Sequence, residues 1–270
     1  MRTTSAALTG RLDLDSLADA ALGAAARLWF LVAAFGLLGF LAYIVTFYGP
    51  STLSGNFQDW GRNTMLRKGY VAGDGVGNLF FAAHVLLAAV VTLGGVLQIV
   101  PQIRARALGL HRWNGRVFLV TAVATSVGGL YLTWVRGGGS GLSGNLAITL
   151  NALLVVVCAA LAWRTARAGD VTAHRRWALR AFLVVNGVWF IRVGVGAWML
   201  IDHHSLGTFF RLWNFGSYLV PLAVLELYLR AREGAGPGAR LALAGALLLL
   251  TALTGAGIFG FALMRRSFLG

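Results

Sequence analysis

The sequence predicts an all-α, polytopic membrane protein of about seven transmembrane helices. Three observations carry this: the composition, the recurrence of apolar windows, and the placement of arginine and tryptophan. Of 270 residues, 58% are hydrophobic and 12% charged, about half the charge of an ordinary soluble domain. Apolar windows of about 20 residues, long enough to cross about 30 Å of hydrocarbon, recur along the whole chain. A net charge of +14 with a single lysine, Lys68, comes from arginines gathered at the ends of the apolar runs. That distribution suits topology anchors and argues against a nucleic-acid partner. The lone cysteine, Cys158, sits in an apolar run as a small hydrophobe and permits no disulfide within one chain.

The spans are expected at residues 27–48, 78–100, 113–135, 145–166, 176–200, 211–231 and 240–264. Residues 1–26 carry Asp13, Asp15 and Asp19 and read as a cytosolic or interfacial segment rather than a cleavable signal. Residues 27–264 form one transmembrane domain and 265–270 a tail. Polar, glycine-rich separators at 49–77 and 137–144 could not span lipid without leaving backbone groups unsatisfied. Seven of nine tryptophans (Trp29, Trp113, Trp134, Trp163, Trp177, Trp198 and Trp213) fall near proposed span ends, as an aromatic belt requires. Thirteen arginines lie on the N-terminal side, against seven arginines and lysines on the other. The N-terminus is therefore expected in the cytoplasm of a bacterial cell, the chain lying in its inner membrane.

The second and fourth spans align, HVLLAAVVTLGG from His84 with NALLVVVCAALA from Asn151, at an offset of 67 residues. The turns that follow align as well. His111-Arg-Trp matches His174-Arg-Arg-Trp at an offset of 63, and Arg116-Val-Phe matches Arg180-Ala-Phe at 64. A duplicated hairpin is expected, its halves 78–135 and 145–200 building a four-helix core, with ligand sites favoured at the repeat interface. Gly94, Gly95, Gly128 and Gly129 either allow close helix packing or leave room for a flat cofactor.

Chemistry falls to the histidines. His111 and His174 head spans three and five on the N-terminal side, while His84 lies inside span two, and His203 and His204 occupy the opposite turn. A b-type haem needs two neutral imidazoles facing across the iron. The expected pairs are His111 with His174 and His84 with His203 or His204, with Arg112 and Arg176 neutralising propionates. Alternatively Asp202, His203, His204 and His84 could hold zinc or copper, and His111 and His174 are likewise candidate metal ligands. Arg192, a charge within span five, is a candidate for an outer propionate or a quinone carbonyl. Glu226 precedes Arg230 by four residues, the spacing of a helical ion pair; buried instead, it could relay protons. Asn186, Trp189 and Asn214 are candidates to line a pocket.

At the two His-Arg-Trp turns, roughly over residues 78–230, the chain resembles a family of uncharacterised bacterial multi-helix membrane proteins. That resemblance implies the fold. More distantly, FFAAHVLLAAV followed by GLHRWNGRVFLV looks like the two-haem transmembrane cytochrome b family of ascorbate and ferric-iron reductases. This second likeness carries over only His84 and His111 as haem ligands; His174 is a plausible third, and since no fourth ligand falls within a span, His203 or His204 must supply it.

The functional expectation is transmembrane electron transfer through one or two b haems, oxidising a quinol or small reductant, as a possible membrane oxidoreductase. The alternatives are a cofactor-free transporter or assembly factor, with Arg192 and Glu226 on the substrate path, and a metal-handling protein or metalloenzyme. A homodimer or a partner subunit that completes the site stays open.

Overall fold

A computed structural model of the chain describes residues 2–63, 68–202 and 206–269, with side chains for 13–63, 68–202 and 206–265. The helices in chain order are α1 (Arg2–Leu53), α2 (Gly75–Ile99), α3 (Pro101–Arg106), α4 (Leu108–Leu130), α5 (Leu142–Arg167), α6 (Val171–Val185), α7 (Gly187–Met199), α8 (Leu206–Gly234) and α9 (Pro237–Leu269). A 3₁₀ turn, Phe57–Arg62, follows α1, and a π-helical turn, Tyr131–Val135, ends α4. No β-strand occurs among the described residues. Six helices are long and apolar enough to cross a membrane, and the bent pair α6–α7 makes up to seven. The chain is an all-α polytopic membrane protein.

Helix ends follow local chemistry. The Asp74 carboxylate accepts the Gly77 N–H at 2.8 Å, and Asp170 accepts that of Ala173 at 2.9 Å, each satisfying one of the donors a helix start leaves open. Pro101 and Pro237 open α3 and α9, where a missing N–H costs nothing. Gly169, at φ +75°, ends α5 in the left-handed conformation, which lacks the Cβ penalty only in glycine.

The expected hairpins form. α2 packs along α4, and α5 along α6, and the two pairs meet over Val91, Phe118, Ala122, Val155, Cys158, Ala181 and Val184. In each pair a polar side chain midway along the first helix bonds a backbone carbonyl of the second. The His84 Nδ1 faces Thr125 O at 3.0 Å, and the Asn151 amide donates to Val184 O at 2.9 Å. His84 and Asn151 are the residues that the sequence repeat aligns. The glycines serve packing: a Cβ on Gly95 would meet the Phe118 and Phe182 rings at 3.1–3.3 Å, and one on Gly129 would meet His84 at 3.2 Å. The space that a flat cofactor would need beside Gly95 holds those two rings.

α1, α7 and α9 build the second layer, with Phe40, Tyr43, Ile44, Trp189, Phe190 and Val193 in the largest apolar cluster. α1 is one unbroken helix of 52 residues, about 78 Å at 1.5 Å per residue. Residues 2–26 thus begin the same helix that enters the hydrocarbon. Asp15 and Asp19 tie its first half to Arg240 at 2.8 and 2.9 Å, and Arg232 reaches Asp19 at 3.4 Å.

Two features depart from the sequence reading. Span five is broken: α6 and α7 meet at a 53° bend at Asn186. The Asn186 amide bonds Phe182 O at 2.7 Å, and Asn151 reaches across to Val184 O at 2.9 Å. Those two amides bond carbonyls just before the bend, where the regular ladder is interrupted. Glu226 also does not pair with Arg230 within its helix. Arg180 of α6 grips it with both arms of its fork, Nε to Oε1 at 2.6 Å and Nη2 to Oε2 at 2.9 Å. A planar guanidinium matches a carboxylate better than an i, i+4 neighbour can. With its charge spent in this pair, Glu226 is a tie between α6 and α8.

Candidate functional site

Between α1, α2, α4, α5 and α7 lies a cavity of about 290 Å³. Each wall is positioned by a feature already described. α2 contributes His84, seated on Gly129 and held by the Thr125 carbonyl. Because a carbonyl only accepts, Nδ1 carries the hydrogen, which leaves Nε2 as the bare nitrogen of a neutral ring. α5 contributes Asn151 and the bent α6–α7 pair Asn186, Trp189 and Arg192. Phe40, Tyr43 and Tyr48 come from α1, Lys68 from the loop and Arg136 from the end of the π turn.

Arg192 is half-buried. Its guanidinium lies over the Phe40 ring, 4.8 Å from the centroid, and Nη1 donates to Val188 O at 3.0 Å. Among the described residues no carboxylate comes within ion-pair distance of it, and none lines the cavity. Arg136 differs. Its side chain, 4% exposed, pairs with Asp74 at 3.0 Å, and it also bonds Asn78. Lys68 spends a hydrogen bond on the Arg136 carbonyl at 2.9 Å.

The loop after α1 packs behind three of the residues that line this cavity, Tyr43, Tyr48 and Phe81. Trp60 is fully buried, its ring 5.1 Å from that of Phe81, and its N–H donates to Ser51 at 2.9 Å. Asn63 donates to the hydroxyls of Tyr43 and Tyr48 at 2.7 and 2.8 Å. Sequence reasoning had passed over both tyrosines and treated the loop as a polar separator. A tryptophan within that glycine-rich stretch was the available signal.

His111 and His174 lie at the opposite end, at the starts of α4 and α6, within electrostatic range of one another. His174 Nδ1 donates to Ala162 O at 2.9 Å. His111 Nδ1 is buried with no hydrogen-bond partner among the described residues. Two imidazoles, one with a carbonyl-oriented ring and one with an orphaned nitrogen, fit the donor set of a bis-histidine metal centre. Arg112 is exposed beside His111, whereas Arg176 pairs with Glu233. Asp202 follows α7, its backbone N–H bonded to Trp198 O at 2.8 Å. His203 and His204 lie outside the described residues. Among the described residues no three histidine, cysteine or acidic side chains gather as a metal cluster.

A second space of about 780 Å³ runs beside α7 on the side away from the cavity. Its walls are apolar, with Trp29, Phe30, Phe190, Trp198 and Trp213 among them, and Arg27, Gln102 and Arg175 are the polar residues near one end.

The fold and these sites define a polytopic membrane protein of packed helical hairpins with a largely apolar cavity between α1, α2, α4, α5 and α7. Residues 81–229, more than half of the chain, match the model of the family described as "Predicted membrane protein (DUF2306)", and the chain belongs to that family. No curated protein matches the chain, and no solved structure does.

Proposed function

We propose that this protein carries electrons through a single b-type haem held by His111 and His174, with quinol as the redox partner. The observation that supports it best is the orphaned ring nitrogen of His111, on a helix start that corresponds to that of His174. The two histidines align in the sequence comparison of the two hairpins, lie near the starts of α4 and α6, and include a buried ring nitrogen with no hydrogen-bond partner among the described residues. The haem would supply reversible one-electron chemistry. The chain's own residues orient and insulate it. Ala162 O sets the tautomer of His174, and exposed Arg112 is available to a propionate. Arg176 has already given its charge to Glu233.

One haem is favoured over two because the repeat partner of His84 is Asn151, an amide where a second core imidazole would be needed. A prenyl tail suits the 780 Å³ apolar groove, with its ring near Arg27, Gln102 and Arg175, one residue from His174. In this reading the arginine-rich face is cytoplasmic in a bacterial cell membrane.

The test is the absorption spectrum of purified protein, haem supplied during expression, before and after dithionite. Low-spin haem is expected at one per chain, lost in His111→Ala and His174→Ala and kept in His84→Ala. A colourless wild type refutes the proposal. Loss of haem only in His84→Ala would move the ligand pair to the far face, toward His203 or His204. Zinc and copper content of the same sample tests the metal-handling alternative.

A further inference from the structure

The cavity around Arg192 is independent of the histidine pair and has its own chemistry. A cation inside a membrane span is costly and is almost always compensated by a partner. Arg192 has a ring face and a carbonyl of its own helix, and no carboxylate among the described residues. Of the other cavity-lining cations, Arg136 is neutralised by Asp74; Lys68 lies in the loop, outside any span, and bonds the Arg136 carbonyl. His84 presents a bare Nε2, and Asn151 keeps its side-chain oxygen. The remaining walls are aromatic: Phe40, Tyr43, Tyr48 and Trp189. At about 290 Å³ the space is at the small end of ligand pockets, enough for one ring and a charged group.

The geometry points to a binding site for a small organic anion, a single-ring carboxylate, whose charge is taken by Arg192 and whose ring lies among Phe40, Tyr48 and Trp189. The guanidinium fork supplies two parallel N–H donors that match a carboxylate. The rings contribute apolar area, and the side-chain oxygen of Asn151 is left to accept from a polar ring substituent.

The probe is 4-hydroxybenzoate against its uncharged amide, 4-hydroxybenzamide, titrated calorimetrically into protein in lipid nanodiscs at fixed chloride. Saturable binding of the acid is expected, with the amide weaker by about 10- to 100-fold, the range for loss of a charged hydrogen bond. Arg192→Gln should lose a similar factor, and Arg192→Lys should recover part of it. Elution as a single species in size exclusion checks that each variant is folded. Equal affinity for acid and amide, equal affinity in Arg192→Gln, or no binding of either probe overturns the proposal. So does full displacement by chloride at its own concentration, which would make this an inorganic halide site. The same titration on His174→Ala keeps the two readings apart, because anion binding should survive loss of the haem ligand.

Discussion

A substitution of one methyl group tests how closely α7 and α9 meet. A Cβ built on Gly260 would lie 2.7 Å from the carbonyl carbon of Gly196 and 3.2 Å from its Cα. Ordinary carbon contacts are about 3.5–4.0 Å, so Gly260→Ala must push the helices apart by about 1 Å. No rotamer can relieve this, because the atoms met are backbone. A gap of that size forfeits a quarter to a half of the dispersion attraction across the crossing, and overpacking of this kind costs about 1–3 kcal/mol. Gly255, on the same helix, has nothing within 4 Å of its would-be Cβ. Gly255→Ala should therefore be neutral or gain up to about 1 kcal/mol of helix propensity. Both variants are unfolded by heat in one detergent, followed by tryptophan fluorescence. The reasoning fails if Gly260→Ala matches the wild type or moves upward with Gly255→Ala. Because α7 also carries Arg192, Gly260→Ala should weaken binding of the anionic probe as well, while Gly255→Ala should not.

Two other expectations follow from buried partners. Asp74→Asn keeps the helix cap, which asparagine supplies equally well, but leaves Arg136, 4% exposed, without its counter-charge. It should cost about 3 kcal/mol in the same unfolding assay, and an unchanged midpoint would mean that solvent already screens the pair. Asn151→Leu removes the donor to Val184 O at the bend and should destabilise by about 1–2 kcal/mol; a more stable variant would show that the bend needs no such support.

The apolar runs determined most of the fold by themselves. In hydrocarbon, every backbone group must be bonded within its own segment, so about 20 consecutive apolar residues leave the chain little choice but helix. The pairing of the hairpin helices was legible for a related reason. His111-Arg-Trp and His174-Arg-Arg-Trp mark corresponding helix starts, and the alignment of His84 with Asn151 reappears as two corresponding side-chain bonds to backbone. What the sequence could not disclose depends on groups far apart in the chain. Glu226 has Arg230 at helical spacing, yet Arg180, 46 residues away, meets it with better geometry. The apolar run of span five gives no sign of a bend, because the acceptor that helps support it, Val184 O, is served by Asn151 from another helix. Trp60 reads as part of a polar loop, and only its burial against Phe81 makes it part of the core. The cavity is likewise a property of tertiary packing: five helices must converge before Arg192, His84 and the tyrosines face one space, and no local pattern encodes which faces converge.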